Sequence, residues 1–275
     1  MACEVPNSPP ETCATRTPLL FRVEDTSNEG YVKTAHERAR ASGFSGIELA
    51  VRAQPPSSRS DSIGGCKIGA IAASCGTVDP AGAIEEVGAL LVRASNWGAT
   101  CLNLTIPRVA GTPDQPAFTG YQDALNFAYQ LLHELRLEAE ATGVALALEA
   151  AVDRALLSPV ELREIIDAAN SWAVGVCIDV QRITRIGCPA DWIKTLRHRV
   201  HAVRLSGAEL SHATCSTGEV RLPELERVTD ALRQIAYDRP VILADSEVPD
   251  VMPPQLTRLG AGPDPSAQIP CQEGP

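Results

Sequence analysis

Gly143-Val-Ala-Leu-Ala-Leu-Glu149 and Val174-Gly-Val-Cys-Ile-Asp179 are the two stretches that decide the fold. Each is a short apolar run that ends in a carboxylate. The segment between them carries Leu162, Ile165, Ile166 and Ala169 at helical spacing after a Ser158-Pro159 start. Strands buried on both faces read as unbroken apolar runs, and parallel neighbours need a crossover that is usually a helix. The pair therefore predicts a β-α-β unit with Glu149 and Asp179 at the carboxyl ends of successive strands, the end at which ligands meet such folds.

The same alternation extends in both directions. Apolar runs at Leu19–Val23, Ser45–Leu49, Lys67–Ala73 and Thr100–Ile106 precede the pair, and Val200–Leu205 and Pro240–Ala244 follow it. Helical periods lie between most of them, including Tyr121–Thr142 with Leu125, Ala128, Leu132, Leu135 and Ala139 on one face. Eight strands alternating with helices predict an α/β fold, a (β/α)8 TIM barrel. The open-sheet alternative lacks a Gly-x-Gly-x-x-Gly after the first strand, and no phosphate-binding lysine loop occurs. Arg52–Gly65 is rich in Pro, Ser and Gly, and the stretch from Pro249 onward holds seven prolines without a helical period. The second and last helices are thus expected to be reduced or missing. The boundaries read as a loose arm over 1–18, the barrel over 19–247 and a Pro-rich tail over 248–275. Pro107–Gly120 is a candidate lid at the same mouth as Glu149.

Composition narrows the function. Of 275 residues 44% are hydrophobic and 4% aromatic, enough for a large aliphatic core. No apolar stretch is long enough to span a membrane and no secretory leader is visible. The nine cysteines show no Cys-x-x-Cys pair, which fits a reducing, cytoplasmic setting. A net charge of −10 opposes a nucleic-acid footprint. A small-molecule ligand remains. Oligomeric state leaves no signature.

Ala41-Ser-Gly-Phe-Ser-Gly-Ile-Glu-Leu49, the Gly143–Glu149 run, Cys177-Ile-Asp179, and the order of Asp191-Trp-Ile, Val203-Arg-Leu205 and the segment from Ser216 to the Tyr237-Asp-Arg-Pro-Val-Ile-Leu run resemble the sugar phosphate isomerase/epimerase, or xylose-isomerase-like, barrels over about residues 19–247. The resemblance implies a metal held by a Glu and an Asp ending the fifth and sixth strands, and Glu149 and Asp179 match these. It also implies histidines that this chain lacks. The family's Asp-x-x-His reads Asp179-Val-Gln-Arg182, its His-Leu-Lys-Asp reads Arg204-Leu-Ser-Gly207, and its strand-three His is absent from Ile71-Ala-Ala-Ser74. Ala244 stands where a Glu ends strand eight, with Asp245 and Glu247 just beyond.

Arginine is always protonated and offers no lone pair, so it cannot replace a liganding imidazole. A weakly held Mg2+ or Mn2+ is the most these residues support, and no tightly bound metal is expected. The resemblance implies an isomerase or epimerase of a small sugar, sugar phosphate or sugar acid, with Glu149 and Asp179 as catalytic or metal-binding carboxylates. Arg182, Arg204 and Glu48 are the candidate substrate-binding residues. The residues keep a second outcome open: a non-catalytic barrel that binds a small anionic ligand or a protein partner. Arg182 and Arg204 either clamp an anion in bidentate fashion or neutralise the two acids as an inert plug. Arg108 is a weaker candidate, and His201 is expected to face away from Arg204.

Overall fold

The computed structural model describes residues 17–24, 28–52, 65–109, 116–150, 155–206, 222–244, 249–250 and 256–257. Eight strands close into a parallel barrel: β1 (Leu19–Val23), β2 (Gly46–Arg52), β3 (Ile68–Ser74), β4 (Cys101–Thr105), β7 (Ala145–Glu149), β8 (Val174–Asp179), β9 (Val200–Ser206) and β10 (Val241–Ala244). β5 (Arg108–Val109) and β6 (Ala117–Phe118) form a separate two-stranded pair beyond the end of β4. The helices are α1 (Glu29–Ala41), α2 (Pro80–Asn96), α3 (Tyr121–Thr142), α4 (Pro159–Ala169), α5 (Val180–Thr184), α6 (Pro189–Leu196) and α7 (Leu222–Gln234). No helix among the described residues is long and apolar enough to cross a membrane.

Local chemistry sets the helix ends. Asp79 accepts from the Gly82 N–H at the start of α2, Ser158 accepts from the Val160 N–H at the start of α4, and proline follows each cap. α3 stops at Gly143, whose φ of 69° is left-handed backbone that glycine adopts without strain. Outward-facing strand residues such as Leu146, Leu148, Val176 and Ile178 are fully buried beneath the helices. That shell is the main apolar core.

Inside the barrel the residues alternate with the outer set. Leu20, Ala70, Cys101, Ala147, Cys177, Ala202 and Ile242 make a second, smaller apolar cluster in the lumen. Side chains two apart on a strand share a face. One step further along, the same faces carry Arg22, Asn103, Glu149, Asp179 and Arg204. Mostly small residues below leave room for long charged side chains above.

The expected second helix would fall in 53–64, which lies outside the described residues, as does most of the stretch after 250. Leu256 is described there, and it is buried at 1% exposure within the main core. Ser42 Oγ also donates to the Pro249 carbonyl. The packed unit thus reaches beyond 247, into the expected tail. At the other end Pro18 accepts from the Val241 N–H, and Thr17 Oγ1 donates to the Tyr237 carbonyl at 3.2 Å.

Candidate functional site at the barrel mouth

Six charged side chains meet inside the carboxyl end of the barrel. Glu48, Glu149, Asp179 and Arg204 are buried at 0%, 4%, 9% and 4% exposure. β7 and β8 are neighbours, and so are β8 and β9, where Asp179 lies in register with Arg204. Glu48 comes from β2, across the lumen, and pairs in register with Arg22 on β1.

Arg204 stands at the centre. Its Nη1 donates to Glu149 Oε1 at 2.6 Å and its Nη2 to Glu48 Oε1 at 3.1 Å, while Nη1 lies 3.6 Å from Asp179 Oδ2. Glu48 Oε1 also accepts from Asn103 Nδ2 at 2.6 Å, and its other oxygen accepts from Arg22 Nη1 at 3.0 Å. Arg22 is held in turn by Glu24. Glu149 Oε2 accepts from Thr105 Oγ1 at 2.5 Å. Arg182 covers the set from the solvent side, with Nη1 3.1 Å from Glu149 Oε1 and Nε 3.7 Å from Asp179 Oδ2. The first of these is close enough for an ion pair but is not aligned as a hydrogen bond, so Arg182 Nη1 and Arg204 Nε lack an aligned acceptor among the described residues. Asp179 Oδ1 accepts from the Arg182 N–H at 3.0 Å and so caps α5.

Electrostatics follows from this geometry. Burial alone would raise the pKa of Glu48, but Arg204, Arg22 and the Asn103 hydrogen bond outweigh it and hold the carboxyl below its ordinary range. Burial is likewise overridden at Glu149 by Arg204, Arg182 and the Thr105 hydroxyl. Burial opposes the charge on Arg204 too, yet Glu48, Glu149 and Asp179 raise its pKa well above the usual value. Glu48 and Glu149 are therefore held as carboxylates at neutral pH, and Arg22 and Arg204 as cations.

The five residues singled out from sequence, Glu48, Glu149, Asp179, Arg182 and Arg204, come together in one network. Arg22, Asn103 and Thr105 also belong to it and were not anticipated. The signal for them was present: each is a polar residue at an inward position of an otherwise buried strand. Arg108 sits half-buried on β5. His201 is buried away from the network, its ring packed on Gly175 at a register shift between β8 and β9. Burial, with Arg239 and His198 nearby, pushes its pKa down to about 3. Asp245 and Glu247 lie outside the described residues.

A parallel eight-stranded barrel with carboxylates at its carboxyl mouth defines a class of (β/α)8 proteins. Residues 36–262 match the family described as the xylose isomerase-like TIM barrel, and the chain belongs to it. Solved structures of similar fold include D-psicose 3-epimerase with D-tagatose from Clostridium cellulolyticum H10, at 16% identity over 83% of this chain and 84% of that one, with a TM-score of 0.63. The 3-keto-D-glucoside 4-epimerase of E. coli shares 12% identity over 89% of this chain and 99% of that one, with a TM-score of 0.64. The IOLI protein, solved with a bound zinc atom, shares 14% over 82% and 88%, with a TM-score of 0.59. At these identities the likeness is one of fold. No curated protein matches the sequence significantly.

The zinc in that last structure makes a metal worth testing against the residues present. Among the described residues no three His, Cys, Asp or Glu side chains are arranged to hold a metal ion. The carboxylates that converge do so on a guanidinium, which has no lone pair to give. The described donor set does not fit a metal.

Proposed function

We propose that the barrel mouth binds a small, neutral, sugar-like molecule, and that it does so as a binding site rather than as a centre of turnover. The observation that carries this is the charge matching of Glu48, Glu149 and Asp179 by Arg22, Arg204 and Arg182. A phosphate or carboxylate ligand would have to pull an arginine away from a buried acid, which is costly. A hydroxyl can donate to a carboxylate lone pair without breaking an ion pair. Isomerisation or epimerisation by enolisation needs a basic carboxylate beside a C–H bond. Glu149, clamped by Arg204 and Thr105 and held below the ordinary carboxylate range, is a weakened base.

One observation favours a second reading, an isomerase or epimerase of a small sugar. Asp179 Oδ2 is the most loosely held oxygen of the network, with its nearest arginine nitrogens at 3.6 and 3.7 Å. It is the atom best placed to take a proton. Thermal-shift titration with neutral aldoses and ketoses, sugar acids and sugar phosphates, paired with NMR of each sugar in D2O, separates the readings. A rise in Tm with a neutral monosaccharide, no larger with its phosphate, and no deuterium uptake is the expected result. Deuterium uptake lost in Asp179→Asn would establish turnover. If no sugar shifts the Tm, both readings fall.

A further inference from the structure

We infer that Arg204 is a permanent internal cation, standing in this mouth where a divalent metal would otherwise balance the converging carboxylates. Three acids from three strands, β2, β7 and β8, point into one lumen, all of them buried. Without a positive charge at their centre, burial and like-charge repulsion would oppose packing them together. In this chain the charge is covalently attached. The side chain of Arg204 rises from the small-residue layer of Ala202 and Cys177, and its guanidinium reaches Glu149 at 2.6 Å and Glu48 at 3.1 Å, with Asp179 at 3.6 Å.

The guanidinium does two things a metal does and lacks a third. It neutralises the acids and fixes their positions, joining strands on opposite sides of the barrel. It cannot accept a ligand oxygen into a coordination shell, because it has only N–H donors. The carboxylates are thus unavailable to an exchangeable ion for as long as Arg204 is present. Arg22 and Arg182 complete the balance, so a second cation would find no uncompensated negative charge in the network. This inference does not rest on the sugar reading: failure of every sugar to bind would leave it intact.

The test begins with the wild-type chain. Protein purified without added metal is assayed for metal content, and its Tm is measured with EDTA and with Mn2+, Mg2+ or Zn2+. Substoichiometric metal and a Tm unchanged by either treatment are expected. Stoichiometric metal, or a Tm that falls with EDTA, would overturn the inference, whichever residues supplied the ligands. The second arm removes the cation in Arg204→Met, which keeps most of the side-chain volume. This variant is expected to melt lower and to regain stability with millimolar methylguanidinium or Mn2+. The Mn2+ effect should vanish when Glu149→Gln is added. A folded Arg204→Met protein as stable as wild type, or indifferent to both cations, would also overturn it. Should the variant fail to fold, the wild-type arm decides alone.

Discussion

Glu48 receives hydrogen bonds from Arg204, Asn103 and Arg22 and has no exposed surface. Removing one member of a buried ion network strands its partners, and the usual cost is about 3–5 kcal/mol. Glu48→Ala is expected to lose that much in urea unfolding, whereas Glu48→Gln, which keeps an acceptor for Asn103, should lose less. The pH dependence has a definite sign. Glu48 and Glu149 have folded-state pKa values below the ordinary 4.5, so their ionised forms contribute stability above that value. The contribution disappears as pH falls through the lowered folded values. Unfolding midpoints should therefore hold from neutrality to about 4.5 as far as these groups are concerned, then drop, and the drop should be shallower in Glu48→Gln. At this scale the acids ending strands, and Arg182 and Arg204 as their neighbours at the same mouth, were legible in the sequence. Whether Arg182 and Arg204 face a ligand or the acids was not, because that depends on reach across the lumen from β9 to β2. Arg22 was lost inside Leu-Leu-Phe-Arg-Val, where an apolar run hides the period of two.

The eight barrel strands were legible as elements because buried parallel strands leave no polar alternation to confuse them. Their edges were less so: β2 continues to Arg52 rather than stopping at Leu49, paired with β3 as far as Ser74. Helix α1 starts at Glu29, ahead of Val32, the first of its buried residues. Its cap is Asn28, whose side chain accepts from the Gly30 and Tyr31 N–H groups. The β5–β6 pair was unforeseen, since two-residue strands have no period to detect. Packing between β8 and β9 was also beyond the sequence. A Cβ built on Gly175 would lie 2.3 Å from the His201 ring and 2.6 Å from the Arg199 carbonyl oxygen. Gly175→Ala should therefore be destabilising by about 1–3 kcal/mol or more, as overpacked core sites are. Adding His201→Ala should restore only part of the loss, because the backbone oxygen remains. Full recovery in the double variant, read from thermal unfolding, would show that the backbone gives way.

For the molecule as a whole, the limits of the folded unit were the hardest feature to read. A proline-rich end without a helical period looks dispensable, yet Leu256 is in the core and the family match continues to 262. Leu256→Ala should cost about 2–5 kcal/mol, the range for a buried leucine. Truncation after residue 250 should cost at least as much in the same urea titration. A truncated chain of unchanged stability would return the boundary to 247. The lumen layer has a consequence for reactivity. Cys101 and Cys177 lie on the barrel's inner face, where burial raises the first thiol to about 12 and the second well above the ordinary 9.0. Only a thiolate attacks an alkylating agent readily, and none can enter while the strands remain closed. Modification of these two sulfurs, followed by peptide mass spectrometry, is then a clock for opening of the entire barrel, with its rate following the global unfolding equilibrium rather than local fraying.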